Sequence, residues 1–177
     1  TKGKSSQFPV IDIQPAQFVV TSLISHAGYK NGTNYVYSVT DFSYKGARSH
    51  VQGRGYLGFD TLVSVNNLSG IKTESCYGIN TPYYFRYPIA TNSYVSGVKA
   101  STKTTTFVTQ ATGTGRYYSY PATSTSTDLV SNTTVTHKYK FDNFGNMTSD
   151  TAFIGSDAVV ATTNTYVSVG GSVIPNK

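Results

Sequence analysis

The sequence predicts an all-β fold of consecutive antiparallel β-hairpins, forming a curved sheet or strip. Three observations carry this. Thr, Ser, Tyr, Val and Gly dominate, and charged residues make up only 12% of the 177 positions, against about 25% in an average domain; this is the composition of strands and turns. Runs of alternating apolar and polar residues are separated by Gly- and Asn-rich breaks. No window carries the i, i+3, i+4, i+7 stripe of a helix, and no crossover helices are present to join parallel strands.

The elements follow in order. Residues 1–8 are polar and read as disordered; Pro9 and Pro15 bracket an extended lead-in. Residues 1–16 are thus a lead-in and 17–177 one β-rich domain. QFVVTSLIS (17–25) is a strand. Asn31-Gly32 is a hairpin turn, because both residues tolerate positive φ. NYVYSVTDFSY (34–44) is the return strand. KGARSHVQGRG (45–55), rich in Gly and polar residues, reads as a loop. YLGFDTLVSV (56–65) is a strand in which Gly58 marks a bulge or a close backbone approach. NNLSG (66–70) turns it and IKTESCYG (71–78) returns.

The stretch 79–94 carries Tyr83, Tyr84, Phe85 and Tyr87 between Pro82 and Pro88. Proline lacks the ladder donor, so the stretch reads as an extended arm packed flat through its rings and not as a central strand. The functional alternative is an aromatic surface for a sugar or peptide. Strands follow at 103–110 and 115–122, with Gly113 and Gly115 at the turn. Residues 123–131 read as an exposed Ser/Thr connector. NTTVTHKYKFD (132–142) alternates most cleanly: Val135, His137, Tyr139 and Phe141 on one face, Thr and Lys on the other. NFGN turns, 147–154 returns, GSD turns again, and 158–170 is the last strand before a fraying tail.

The formal charge is +6, but the basic residues are scattered. No basic run interleaves with aromatics, which reads as a mildly basic surface and not as a nucleic-acid site. Cys76 stands alone, so no internal disulfide or cysteine metal cluster forms; it reads as a small core residue. No stretch reaches the roughly 18 apolar residues of a membrane span. There is no signal peptide, and the start without Met reads as a piece of a longer protein.

Gly53, Gly55 and Gly58 spell G-x-G-x-x-G, the dinucleotide fingerprint. That motif requires a helix opening at its third glycine, whose N-terminus holds the pyrophosphate. Here FDTLVSV, a strand, follows Gly58. The kinase version fails as well, since Asp60 stands where Val is required. No cofactor is expected. The three histidines have no ligand spacing, and His137 reads as a satisfied core residue. The eight carboxylates are dispersed, and DNFGN is too short and acid-poor for a calcium loop. Four Asn-x-Ser/Thr matches (Asn31, Asn67, Asn132, Asn146) arise by chance in so Ser/Thr-rich a chain. No catalytic residue and no metal site is assigned.

Two stretches carry a family resemblance. Tyr35-Val36-Tyr37, the loop, Gly53-Arg54-Gly55-Tyr56-Leu57-Gly58-Phe59, Ser69-Gly70-Ile71 with Thr73, and the aromatic run to Pro88 resemble the region leading into the repeats of Rhs/YD-repeat proteins. The likeness is above all to the B component of bacterial insecticidal toxin complexes and SpvB-like proteins. Tyr139-Lys-Phe141-Asp142-Asn143-Phe144-Gly145-Asn146-Met-Thr148 is similar to one YD repeat, with Phe141 in place of the second Tyr. In that reading Tyr139 and Phe141 point inward, Asp142 caps the turn, and Gly145 and Asn146 take left-handed conformations.

The resemblance covers residues 34–90 and 137–150. It implies a strip of hairpins belonging to a hollow shell around a toxin polypeptide, in a secreted or surface bacterial protein. Its partners would be other segments of the same shell and the cargo. An edge-paired homodimer is expected of an isolated fragment. The family's self-cleavage motif with paired aspartates is not found, so no catalytic role is carried over. A carbohydrate- or peptide-binding module is the alternative expectation, resting on Tyr83, Tyr84, Phe85 and Tyr87.

Overall fold

A computed structural model describes residues 6–14, 16–81, 83–169 and 172–176. Pro15 and Pro82, and the ends of the expected lead-in and tail, lie outside these. The fold is all-β, as predicted: strands β1 to β11 belong to one antiparallel sheet of consecutive hairpins, and β12–β13 form a separate pair. Contacts group the chain into two units, residues 1–102 and 103–177. Among the described residues no helix is long and apolar enough to cross a membrane.

The first unit contains β1 (Val10–Ile13), β2 (Ser22–Asn31), β3 (Asn34–His50), β4 (Gly55–Asn66), β5 (Ile71–Ile79) and β6 (Arg86–Val95), and the start of β7 (Val98–Gly113). β3 is its axis. One edge pairs with β2 and then with β1; the other pairs with β4. The Asn-Gly hairpin forms with Asn31 opposite Asn34, so Gly32-Thr33 is the loop, one residue later than predicted. The strand starts at Ser22, later than predicted, and runs on to Asn31, because a bulge between His26 and Lys30, with Gly28 at φ +88°, carries it through the Ala-Gly-Tyr stretch.

Two corrections follow from pairing. The predicted loop 45–55 is strand as far as His50, since residues 47–50 are hydrogen-bonded between β1 and β4. The predicted arm 79–94 becomes strand from Arg86, and β6 lies inside the sheet beside β5. Pro88 is accommodated because the register shifts there: Tyr77 faces Pro88 and Cys76 faces Ala90, leaving Ile89 bulged where the ladder has a gap. The β4–β5 turn is held as its sequence suggests. Asn66 Oδ1 accepts the amides of Leu68 (3.1 Å) and Ser69 (2.9 Å), while its Nδ2 donates to Ser38 Oγ (2.7 Å) on β3.

The second unit holds the rest of β7, β8 (Arg116–Asp128), β9 (Thr133–Phe141), β10 (Met147–Ile154), β11 (Asp157–Thr163), β12 (Thr165–Val169) and β13 (Ser172–Asn176). The connector predicted at 123–131 is strand to Asp128. Its threonines pair across to β9, Thr125 with Thr136 (3.2 Å) and Thr127 with Thr134 (3.0 Å), so Ser/Thr density here is a ladder and not a loop. The last strand breaks at Asn164, and the tail pairs as β13 on β12 instead of fraying.

Burial is thin. The buried apolar residues among those described are Ala47, Val63 and Ala152, and no large side chain is fully enclosed. Half-buried rings and cross-strand pairs therefore carry much of the packing.

Candidate functional site

The predicted G-x-G-x-x-G stretch is the turn and first half of a hairpin. Gly53 and Arg54 lie in an exposed turn, and β4 begins at Gly55. The strand after Gly58 removes the dinucleotide reading. Gly58 is a bulge and a close approach at once. The register skips Leu57, φ is +98°, and a Cβ there would lie 2.9 Å from Arg86 Cδ. Tyr56 and Phe59 meet edge to face at 5.8 Å, and Phe59 meets Tyr44 at 4.8 Å. Burial raises the Tyr56 hydroxyl above its ordinary range, opposed by the charge of Arg86.

On one face of this hairpin lies a charged clip that the sequence did not announce. Arg48 on β3 hydrogen-bonds Asp60 on β4 through Nε (2.8 Å to Oδ2) and Nη2 (2.5 Å), and forms an ion pair with Asp12 on β1 through Nη1 (2.5 Å). Asp12 is 1% exposed and Arg48 13%. The Asp60 hydrogen bond, and the charges of both aspartates, raise the Arg48 pKa further against the opposing effect of burial. The glycine at 46 makes room: a Cβ there would collide with the Asp60 carboxylate. The clip fastens β1 and β4 to β3, and it leaves Arg48 engaged with its own strands.

Above the clip opens a cleft of about 750 Å³, whose lining includes Arg48, Asp60, Cys76, Tyr77, Tyr84 and Ile89. Cys76 is half-buried at this cleft and not a core residue. His50, two residues from Arg48 and so on the same face of β3, is buried. Both of its ring nitrogens lack a hydrogen-bond partner, and its ring packs on Tyr84 at 4.3 Å. Tyr84 holds a positive φ of 54°. The predicted aromatic group is therefore divided. Tyr83, Tyr84, Phe85 and Tyr87 are all half-buried; Tyr84 turns to His50, while Phe85 and Tyr87 meet each other at 6.2 Å.

Arg86, inside that aromatic run, passes over Gly58. Its guanidinium lies on the Tyr77 ring, 3.4 Å from the centroid. The sequence reading missed Asp12, Arg48, Asp60, His50 and Arg86, because each sits on a different strand or apart in sequence. The one local signal was Gly46 and Gly58, glycines placed within strands.

The repeat-like hairpin in the second unit is built as its residues imply, with one correction. Asp142 Oδ1 accepts the amides of Phe144 and Asn146, both at 2.9 Å, and Asn146 Nδ2 donates to Asp142 Oδ2 at 2.9 Å. Asn146 and these backbone amides hold the Asp142 carboxyl below the usual carboxylate range. Gly145 is left-handed at φ +87°, but Asn146 is not; its side chain returns to Asp142 instead. Tyr118 on β8 donates its hydroxyl to the Asp142 carbonyl and to Gln110 Oε1 (3.1 Å), and Gln110 Nε2 donates to Asn143 Oδ1 (2.8 Å). Tyr120 packs on Phe141 at 4.6 Å. The β9–β10 hairpin is thus clamped by the β7–β8 hairpin before it. His137 is satisfied, by Asp150 at 2.9 Å, but its side chain is 37% exposed and not in a core.

Among the described residues no group of three or more His, Cys, Asp or Glu is placed to hold a metal. Comparisons with protein-family models, with curated proteins and with solved structures find no match for this chain.

Proposed function

We propose that the chain is a non-catalytic structural segment of a β-shell of the Rhs/YD-repeat kind, in a secreted or surface toxin-type bacterial protein, where it helps to enclose or present a toxin polypeptide. One observation carries the reading. The Asp142–Asn146 turn uses the residues of the repeat-like motif to close its own hairpin, and Tyr118 of the preceding hairpin bonds that turn's backbone. A motif whose residues tie one hairpin to its neighbour is a device for propagating a strip. Among the described residues the most buried charged group, Asp12, is taken up by Arg48 within the fold.

The test is the parent chain isolated from its source, imaged by electron microscopy and treated with protease. The expected result is a run of further hairpins forming a hollow body, with a polypeptide inside that resists digestion until the body is opened. A parent without further hairpins, or with no protected polypeptide, overturns the proposal.

A further inference from the structure

Arg86 stands in an arrangement that strand pairing by itself does not explain. Its stem runs over Gly58, where any side chain would displace it; the Cβ of an alanine would lie 2.9 Å from Cδ and 3.1 Å from Nη1. Its guanidinium lies flat on Tyr77. Among the described residues it has no carboxylate partner, in contrast to Arg48 nearby, which has two. The residue is exposed. A guanidinium held by its face and open at its edge presents a preorganised fork of donors, the geometry that takes a carboxylate through two parallel hydrogen bonds.

Arg48, Asp60, Tyr77 and Ile79 line the cleft described above, and the same four line, together with Arg86, a narrow gap beside it, so the arginine neighbours the cleft. The cleft offers Tyr84, Ile79 and Ile89 as apolar wall, and its volume suits one or two large side chains.

We propose that Arg86 and this cleft form a binding site for an acidic polypeptide segment: the carboxylate of an Asp or Glu is taken by the Arg86 guanidinium, and a neighbouring aromatic or aliphatic side chain is seated in the cleft. This goes beyond the shell reading and does not depend on it, since every group invoked belongs to this chain. It also gives Gly58 a reason: the glycine at the bulge clears the path by which Arg86 reaches Tyr77.

The experiment is calorimetric titration of the full chain with the capped peptide acetyl-Gly-Phe-Glu-Phe-Gly-amide, its Gln counterpart, and inorganic phosphate. A hydrogen-bonded charge pair predicts the Glu peptide to bind about tenfold more tightly than the Gln peptide. Arg86→Gln, at an exposed position, is expected to abolish that preference with the circular dichroism unchanged. Arg86→Lys keeps the charge but loses the fork, and is expected to retain only part of it. The proposal is overturned by equal binding of the two peptides, by an unchanged preference in Arg86→Gln, or by no detectable binding at millimolar peptide. Phosphate binding as tightly as the Glu peptide overturns the role of the cleft.

Discussion

The Asp60 carboxylate occupies the space above Gly46 in which a side chain on residue 46 would stand. A Cβ there would lie 2.9 Å from Asp60 Cγ and nearer still to its oxygen. The absent side chain on β3 is what lets β4 deliver a carboxylate to Arg48. Gly46 also holds φ +63°.

Gly46→Ala should therefore carry two penalties, left-handed backbone and collision. Gly32→Ala is the control, since Gly32 has nearly the same φ, +62°, with nothing within 4 Å. The control is expected to cost about 1 kcal/mol, and Gly46→Ala about 2–4 kcal/mol once the displaced carboxylate is added. Urea unfolding of both variants measures the difference; equal costs would remove the steric argument.

Removing Arg48 leaves Asp12, whose side chain is 1% exposed, buried without its counter-charge. Arg48→Met is expected to destabilise the first unit by about 3 kcal/mol. Adding Asp12→Ala to it should recover part of that loss, because the orphaned charge is then gone. A double-mutant cycle on the two positions reads the coupling, and additivity within error would contradict the clip.

Asp142 sets a pH dependence whose sign is fixed. Its carboxyl titrates below the ordinary value of 3.8 in the folded chain because the Asn146 side chain and the backbone amides of Asn146 and Phe144 bond its ionised form. A lowered folded value means that the stabilisation is fully present above the ordinary carboxylate range and is lost as pH falls through the folded value. Hydrogen exchange at the Phe144 and Asn146 amides should therefore accelerate, after correction for intrinsic rates, only below about pH 4. Asp142→Asn should make that protection flat with pH.

The Tyr118 hydroxyl reaches the Asp142 carbonyl and Gln110 together. Tyr118→Phe keeps the ring, which packs beside Tyr120 at 5.3 Å, and removes both bonds. The expected cost is about 1 kcal/mol, concentrated in exchange of the 142–146 turn. A loss spread evenly over the second unit would argue against a local clamp.

The hairpins that were legible in the sequence are those closed by short-range chemistry. Asn31-Gly32 places its turn to within a residue, and Asp142 finds both of its amide partners within four positions. The β4–β5 hairpin is of the same kind, with Asn66 capping its own turn. Where a residue's state depended on a distant strand, the local reading failed. Lys45 to His50 read as loop because Gly and polar residues are poor strand formers, yet β4 pairs along this stretch and β1 pairs Ala47 to His50 on the other side. Pro88 argued against a central strand, and a bulge against Tyr77 lets it stand in one. The threonines of 123–128 read as a connector until β9 supplied their partners.

The class of fold, the presence of consecutive hairpins and the chemistry of their turns follow from local patterning, since period-two alternation and turn residues act over a few positions. Which charges meet is set by the pairing of distant strands. Residues 12, 48 and 60 form one clip, and residues 58, 77 and 86 form one seat, because strand pairing brings distant segments to within 5 Å of one another regardless of their separation along the chain. A glycine inside a strand announces that something approaches; what approaches is set by the neighbouring strand.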